Sequence, residues 1–248
     1  MAAASVIIIC WRHSPLYWTL RNREYYEVEG LIRSVSSGAI APVKGSYIVE
    51  MLENGERIMP RQDTHHRAFW RSSELQAIFN ALRAKFGTTE ATRRFCKLFV
   101  AFSYRWLSIT EPDPDMFHLT RVGEAAKLYI KSQSKSMGIK QLVFAPLGIE
   151  NVDFALLWDW TSLFQARSRK SGHRTAKQSM LYRKGISYAS IWYGHAHTVT
   201  WMNTAMPATV SPTHVKYTAS GWCWAESRVS ATLKPHGQLV DLGSVDVG

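Results

Sequence analysis

The chain has 248 residues, 46% hydrophobic and 20% charged, and its 30 Lys and Arg outnumber its 19 Asp and Glu, for a net charge of +11. That length accommodates one large domain, or an ordinary domain with a smaller partner, and the composition excludes a disordered or collagen-like chain. Cys10, Cys96 and Cys223 are widely spaced and form no CxxC pair, which argues against a disulfide framework or zinc ribbon and for a reducing, cytoplasmic setting.

The first predicted element is a buried strand over Ser5–Trp11, within the longest apolar run of the chain. A membrane span needs about 20 apolar residues, so no span is expected there, and no basic segment precedes the run as it would in a signal peptide. Ser46–Leu52 and Glu56–Met59 flank Asn54-Gly55 and read as a hairpin with a positive-φ turn. A helix follows. Ser73-x-x-Gln76 has the capping-box pattern, Leu75, Ile78, Phe79, Leu82 and Phe86 recur at helical spacing, and Gly87 ends it. Residues 1–92 therefore form a small α+β module whose motifs name no chemistry.

From residue 93 onward, strand and helix alternate. Lys97–Phe102 is a continuous apolar run, the pattern of a strand buried on both faces. Ser103–Trp106 follows as a loop. Asp115 caps a helix with Leu119, Val122, Ala126, Tyr129 and Ile130 on its apolar face. Val152–Trp158 and Thr198–Met202 are two further strands, separated by a helix around Gln178–Trp192. A helix over Trp222–Ala231 and a strand within Gly237–Leu242 complete the pattern. The alternation predicts an α/β fold, a parallel sheet with helices on both faces and Lys97–Phe102 at its centre. Ligands of such sheets lie beyond the carboxyl ends of the strands.

Charge is distributed unevenly. No Asp or Glu occurs between Asp159 and Glu226, while Arg167, Arg169, Lys170, Arg174, Lys177, Arg183, Lys184 and Lys216 fall in that stretch. It reads either as a solvated basic face or as an electropositive bowl for a pyrophosphate or a nucleic acid, the latter through residues 167–184. GxGxxG, GxxxxGK[ST], GxSxG and HExxH are all absent, which excludes ordinary dinucleotide-binding dehydrogenases, P-loop NTPases, α/β-hydrolases and zincins.

The sharpest motif is Ser220-Gly221-Trp222-Cys223-Trp224-Ala225-Glu226. It resembles the S-x-W-C-x-x-E motif of Toll/interleukin-1 receptor (TIR) domains. Lys97–Arg105 (KLFVAFSYR) is similar to the first box of that family, and Phe154–Leu163 (FALLWDWTSL) is similar to its second strand and following Asp. The order of the segments also agrees. The resemblance implies a flavodoxin-like TIR domain over residues 93–248, with room after Glu226 for one of the two strands the family usually adds. It implies cleavage of NAD, as substrate rather than cofactor, at the nicotinamide–ribose bond, with Glu226 as the catalytic carboxylate. It equally implies the alternative of a non-catalytic module that works by self-association or by binding other proteins.

The residues themselves suit either reading. Departure of nicotinamide leaves an oxocarbenium-like ribose that a carboxylate at Glu226 stabilises, but Glu226 could equally cap its own helix. Ser103, Arg105 and Trp106 follow the first strand, where Arg105 suits a phosphate and Trp106 a base, or both simply pack the loop. Asp159 suits a ribose hydroxyl, a contact to Arg105 or a turn cap. Trp222 and Cys223 suit a core, with Trp222 also available for stacking. Cys223 has no partner that would make it a nucleophile. His195-x-His197 and His65-His66 lack nearby acids, so no metal site is expected.

Overall fold

The computed structural model describes residues 22–137, 143–149, 152–168, 172–208 and 216–244; the strand expected at Ser5–Trp11 lies outside them. Among these residues the chain forms an α/β structure with a five-stranded mixed sheet. Strand β1 is Val43–Lys44, β2 Phe99–Tyr104, β3 Ala155–Leu157, β6 Val199–Asn203 and β7 Leu239–Asp241. The pairs Arg167–Ser168 and Gly172–His173, β4 and β5, make a separate ribbon. The helices are α1 Val28–Ser36, α2 Gly45–Glu53, α3 Ser72–Cys96, α4 Phe117–Met137, α5 Asp159–Ser162, α6 Ala176–Gly194 and α7 Gly221–Leu233. None of the described helices is long and apolar enough to cross a membrane.

The sheet order is β1-β3-β2-β6-β7. Strands β3, β2, β6 and β7 run parallel and β1 is antiparallel to β3, so Val100 of β2 stands between Leu156 and Val199. All six residues of β2 are buried. Because strand side chains alternate between faces, Phe99 and Ala101 enter one core with Leu31, Phe95 and Trp192. Val100, Phe102 and Tyr104 enter the other with Ile48, Leu119, Val122 and Trp201. The strand thus has no face left for water, and helices cover both sides, as its apolar run predicts.

Four local expectations are corrected. The hairpin at residues 46–59 is instead the helix α2, which buries Ile48 and Met51. Its last turn is closed by the Asn54 amide bonding Glu50 O at 2.9 Å, with Gly55 next at φ 64°. Positive φ after an apolar segment marks a helix C-terminus as well as a hairpin turn, and the sequence does not separate the two. The capping box of α3 belongs to Arg71 and Glu74: the Arg71 amide donates to Glu74 Oε2 at 2.7 Å, leaving Ser73 inside the helix. Gly87, at φ 73°, kinks α3 rather than ending it, because Ala91, Phe95 and Cys96 beyond it are drawn into the core. Asp113, not Asp115, caps α4, accepting from the His118 and Leu119 amides at 2.9 and 2.7 Å.

The N-terminal half shares the core of the rest. Helix α1 packs in one core and α2 in the other, β1 extends the sheet, and the boundary expected after residue 92 falls within α3. Gly45 marks the closest approach. Its amide donates to Phe154 O at 3.0 Å, and a Cβ there would stand 2.1 Å from the fully buried Phe154 ring. Gly221 also begins a helix but has open space around its Cα. Gly45→Ala is therefore expected to cost about 1–3 kcal/mol through overpacking, while Gly221→Ala is neutral or slightly stabilising. Urea unfolding of the two variants measures the difference; equal midpoints would contradict the packing described for Phe154.

Candidate functional site

Where β2 ends, the chain leaves the sheet with Arg105 and Trp106; where β3 ends, Asp159 begins α5. Helix α7 starts beside them. Between these ends and α6 lies a cleft of 540 Å³, lined by Arg105, Trp106, Asp159 and Trp222, by Ser220 and Cys223 from the start of α7, and by Tyr182 and Arg183 of α6. Four of the six residues selected from the sequence therefore meet in one cavity, at the carboxyl ends of parallel strands. Ser103 and Glu226 do not line it. Both are buried behind it, with Ser103 wholly enclosed.

Glu226 sits in a closed polar network. Ser103 Oγ lies 2.5 Å from Glu226 Oε2 and 2.8 Å from the Tyr217 hydroxyl. Burial pushes the Glu226 carboxyl up to about 8, Asp159 adds to the shift, and hydrogen bonding from Ser103, Tyr193 and Trp222 opposes it. Glu226 is accordingly protonated at neutral pH in this arrangement. Cys223 donates its thiol to Tyr104 O at 3.3 Å, and burial raises it to about 11, so it is no ready nucleophile.

Asp159 organises the cleft floor. Its carboxylate accepts from the Tyr104 hydroxyl at 2.7 Å, the Trp106 indole at 3.3 Å and the Trp160 amide at 2.6 Å. It thus joins both strand ends to the first turn of α5, which it begins, and it bonds Trp106 rather than Arg105. Burial raises its pKa, and the Tyr104 and Trp160 hydrogen bonds work against that rise.

Arg105 is held by its backbone, and the residue lines the cleft. His118 Nε2 lies 2.9 Å from Arg105 O, and His118 Nδ1 lies 2.8 Å from Asn203 Nδ2. Burial depresses His118 to about 3, so the ring is neutral, donating through Nε2 and accepting through Nδ1. The Arg105 Nε is buried with no hydrogen-bond partner among the described residues. A buried guanidinium nitrogen without an acceptor is costly, and an anionic ligand would supply one once the side chain turns its Nε into the cleft that Arg105 lines. Arg183 adds a second cation, and Trp222, 49% exposed, leaves ring surface free at the mouth.

Sequence reasoning named Arg183 only within the basic stretch and did not find His118 or Tyr182 as site residues. His118 reaches Arg105 across 13 positions, and no spacing pattern signals such a contact. The histidine pairs do not join the cleft: His195 is buried against Glu27 O, its pKa lowered by burial to about 4, and His65 and His66 stack on each other. Among the described residues no group of three His, Cys, Asp or Glu gathers around a common point. The chain matches no family model, no curated protein and no solved structure.

The Glu226 network has a pH signature. Folded Glu226 keeps its proton up to about pH 8, whereas in the unfolded chain it ionises near 4.5, so its contribution to stability is full below 4.5 and lost as pH rises toward 8. Buried His118 and His195 act in the opposite sense below pH 6.5, so the comparison to make is with Glu226→Gln. The variant is expected to gain stability relative to the native chain steadily between pH 5 and 8. A gap that stays constant across that window, measured by urea unfolding, would mean Glu226 is not held protonated.

Proposed function

We propose that the cleft binds a phosphate-bearing nucleotide, and that the chain is a TIR-like enzyme cleaving NAD at its nicotinamide–ribose bond. The observation that carries nucleotide binding is the buried, unpartnered Nε of Arg105, a residue that lines the cleft together with Trp106 and Trp222 at the carboxyl ends of parallel strands. A guanidinium suits a phosphate, indole faces suit a base, and the acid-free stretch from residue 160 to residue 225 keeps the potential positive. The parallel order β3-β2-β6-β7 is compatible with the flavodoxin-like layout of that family, with β1 added at the edge.

The reaction rests on the WCxxE resemblance. The C1′–N bond breaks, its electron pair leaves with neutral nicotinamide, and water adds to the ribosyl cation and releases a proton. The products are nicotinamide, ADP-ribose and that proton. Glu226 serves this step only once ionised and turned toward the cleft, which requires it to part from Ser103. Ligand binding or self-association through α7 supplies a reason for that movement.

One observation favours the second reading, a non-catalytic interaction module. Glu226 is already satisfied and neutral, while Trp224 and Val229 of the same helix are exposed. In that case the helix is a contact surface and the carboxyl is a packing residue.

Calorimetric titration with NAD separates these readings. Arg105→Ala is expected to weaken NAD binding by at least about tenfold, the loss of one charge-assisted hydrogen bond. Nicotinamide release is measured at high protein concentration, and Glu226→Ala is expected to lower turnover by about 10²–10³. A folded native chain that binds NAD without consuming it favours the interaction module. A chain that binds no nucleotide overturns the proposal.

A further inference from the structure

We infer that the cleft has a second compartment that takes a planar heteroaromatic ring, so that the ligand is one with phosphates at Arg105 and a base on the far side of Trp106. This rests on the nucleotide reading above and adds a subsite to it.

A cavity of 480 Å³ adjoins the cleft, and the two share Trp106 and Gln165 as a common wall. Its remaining lining is largely apolar. Ile58, Met59 and Pro60 come from the segment linking α2 to α3, and Trp160 from α5. The Trp106 and Trp160 rings meet edge to face at 5.3 Å, with an interplanar angle of 89°. Trp160 is only 9% exposed, and its indole Nε1 is buried with no hydrogen-bond partner among the described residues. A buried donor without an acceptor costs free energy, and a small turn of the indole toward the compartment it lines would let an acceptor at the edge of a bound ring remove that cost.

The walls are held before any ligand arrives. Thr161 Oγ1 donates to Met59 O at 3.0 Å, and the Arg61 amide to Trp160 O at 3.3 Å. The Gln62 side-chain amide pairs with the Gln165 backbone, donating through Nε2 to Gln165 O and accepting at Oε1 from the Gln165 amide, both at 3.1 Å. The segment carrying Met59 and the segment carrying Trp160 therefore form one rigid frame, and little order remains to be imposed on binding. The compartment does not suit a phosphate: its polar lining includes the carboxylate of Glu111 and no Lys or Arg. It suits a flat ring with an acceptor atom, stacked or edge-packed on indoles.

The test uses the full chain and three probes: free nicotinamide, free adenine and inorganic pyrophosphate. Binding is followed by saturation-transfer NMR and calorimetry. Trp160→Phe keeps the ring and removes the N–H; Met59→Trp fills the compartment, and Met59→Phe does so more gently should the larger variant fail to fold. At least one free base is expected to bind the native chain. Trp160→Phe is expected to weaken that binding about five- to tenfold, the worth of one hydrogen bond. The Met59 variants are expected to abolish it, while pyrophosphate binding stays unchanged in all of them and falls in Arg105→Ala. If neither base binds, or if base binding survives the filled compartment, the second compartment is overturned, even where pyrophosphate still binds through Arg105. If a base binds as described and pyrophosphate does not, the compartment stands and the phosphate half of the nucleotide reading fails.

Discussion

Burial of β2 on both faces is the constraint from which the rest follows. Each of its six residues is out of water, so both neighbouring strands and helices on both sides are needed to complete its packing and its backbone pairing. Parallel partners require long crossovers, and those crossovers are the helices that become the two covering layers. The same arrangement brings the carboxyl ends of β2 and β3 side by side. It thereby puts Arg105, Trp106 and Asp159 in one place although more than 50 positions separate the first pair from the last.

At that edge the polar groups divide by depth. Asp159 is half-buried at the cleft and binds both strand ends, so it works as a fixed brace for the rings around it. Glu226, deeper, is held in the neutral form against Ser103. An ionised carboxylate so enclosed would require a paired cation or further donors. Arg105, whose buried Nε has no partner among the described residues, lines the cleft instead. The site is thus organised as an open anion-seeking surface backed by a neutral acid, and any chemistry at Glu226 has to include its exposure and ionisation together.

The N-terminal half is part of this machinery. Arg61 reaches the carbonyls of Gly38, Ala39 and Ser162, and burial lowers its pKa to about 10. Through it and the neighbouring hydrogen bonds, the segment from Ile58 to Gln62 is tied to the start and end of α5. A stretch whose motifs name no chemistry therefore shapes one wall of the candidate site.

The sequence by itself determined the α/β class, the strands β2, β3 and β6 and the approximate spans of α4, α6 and α7, because those depend on periodicity and apolar runs that are local in the chain. It also picked out Arg105, Trp106, Asp159 and Trp222, since residues following buried parallel strands or beginning the next helix fall at the ligand edge by geometry alone. Only the tertiary structure decided the rest. Asn54-Gly55 closes a helix because Ile48 and Met51 find a core to enter, and Gly87 bends α3 because Phe95 and Cys96 do too. The neutral state of Glu226, the unpartnered Nε of Arg105 and the pairing of Trp106 with Trp160 depend on depth, on which groups lie within hydrogen-bond reach and on contacts between distant segments. Those are properties of three-dimensional neighbourhood that residue order does not encode.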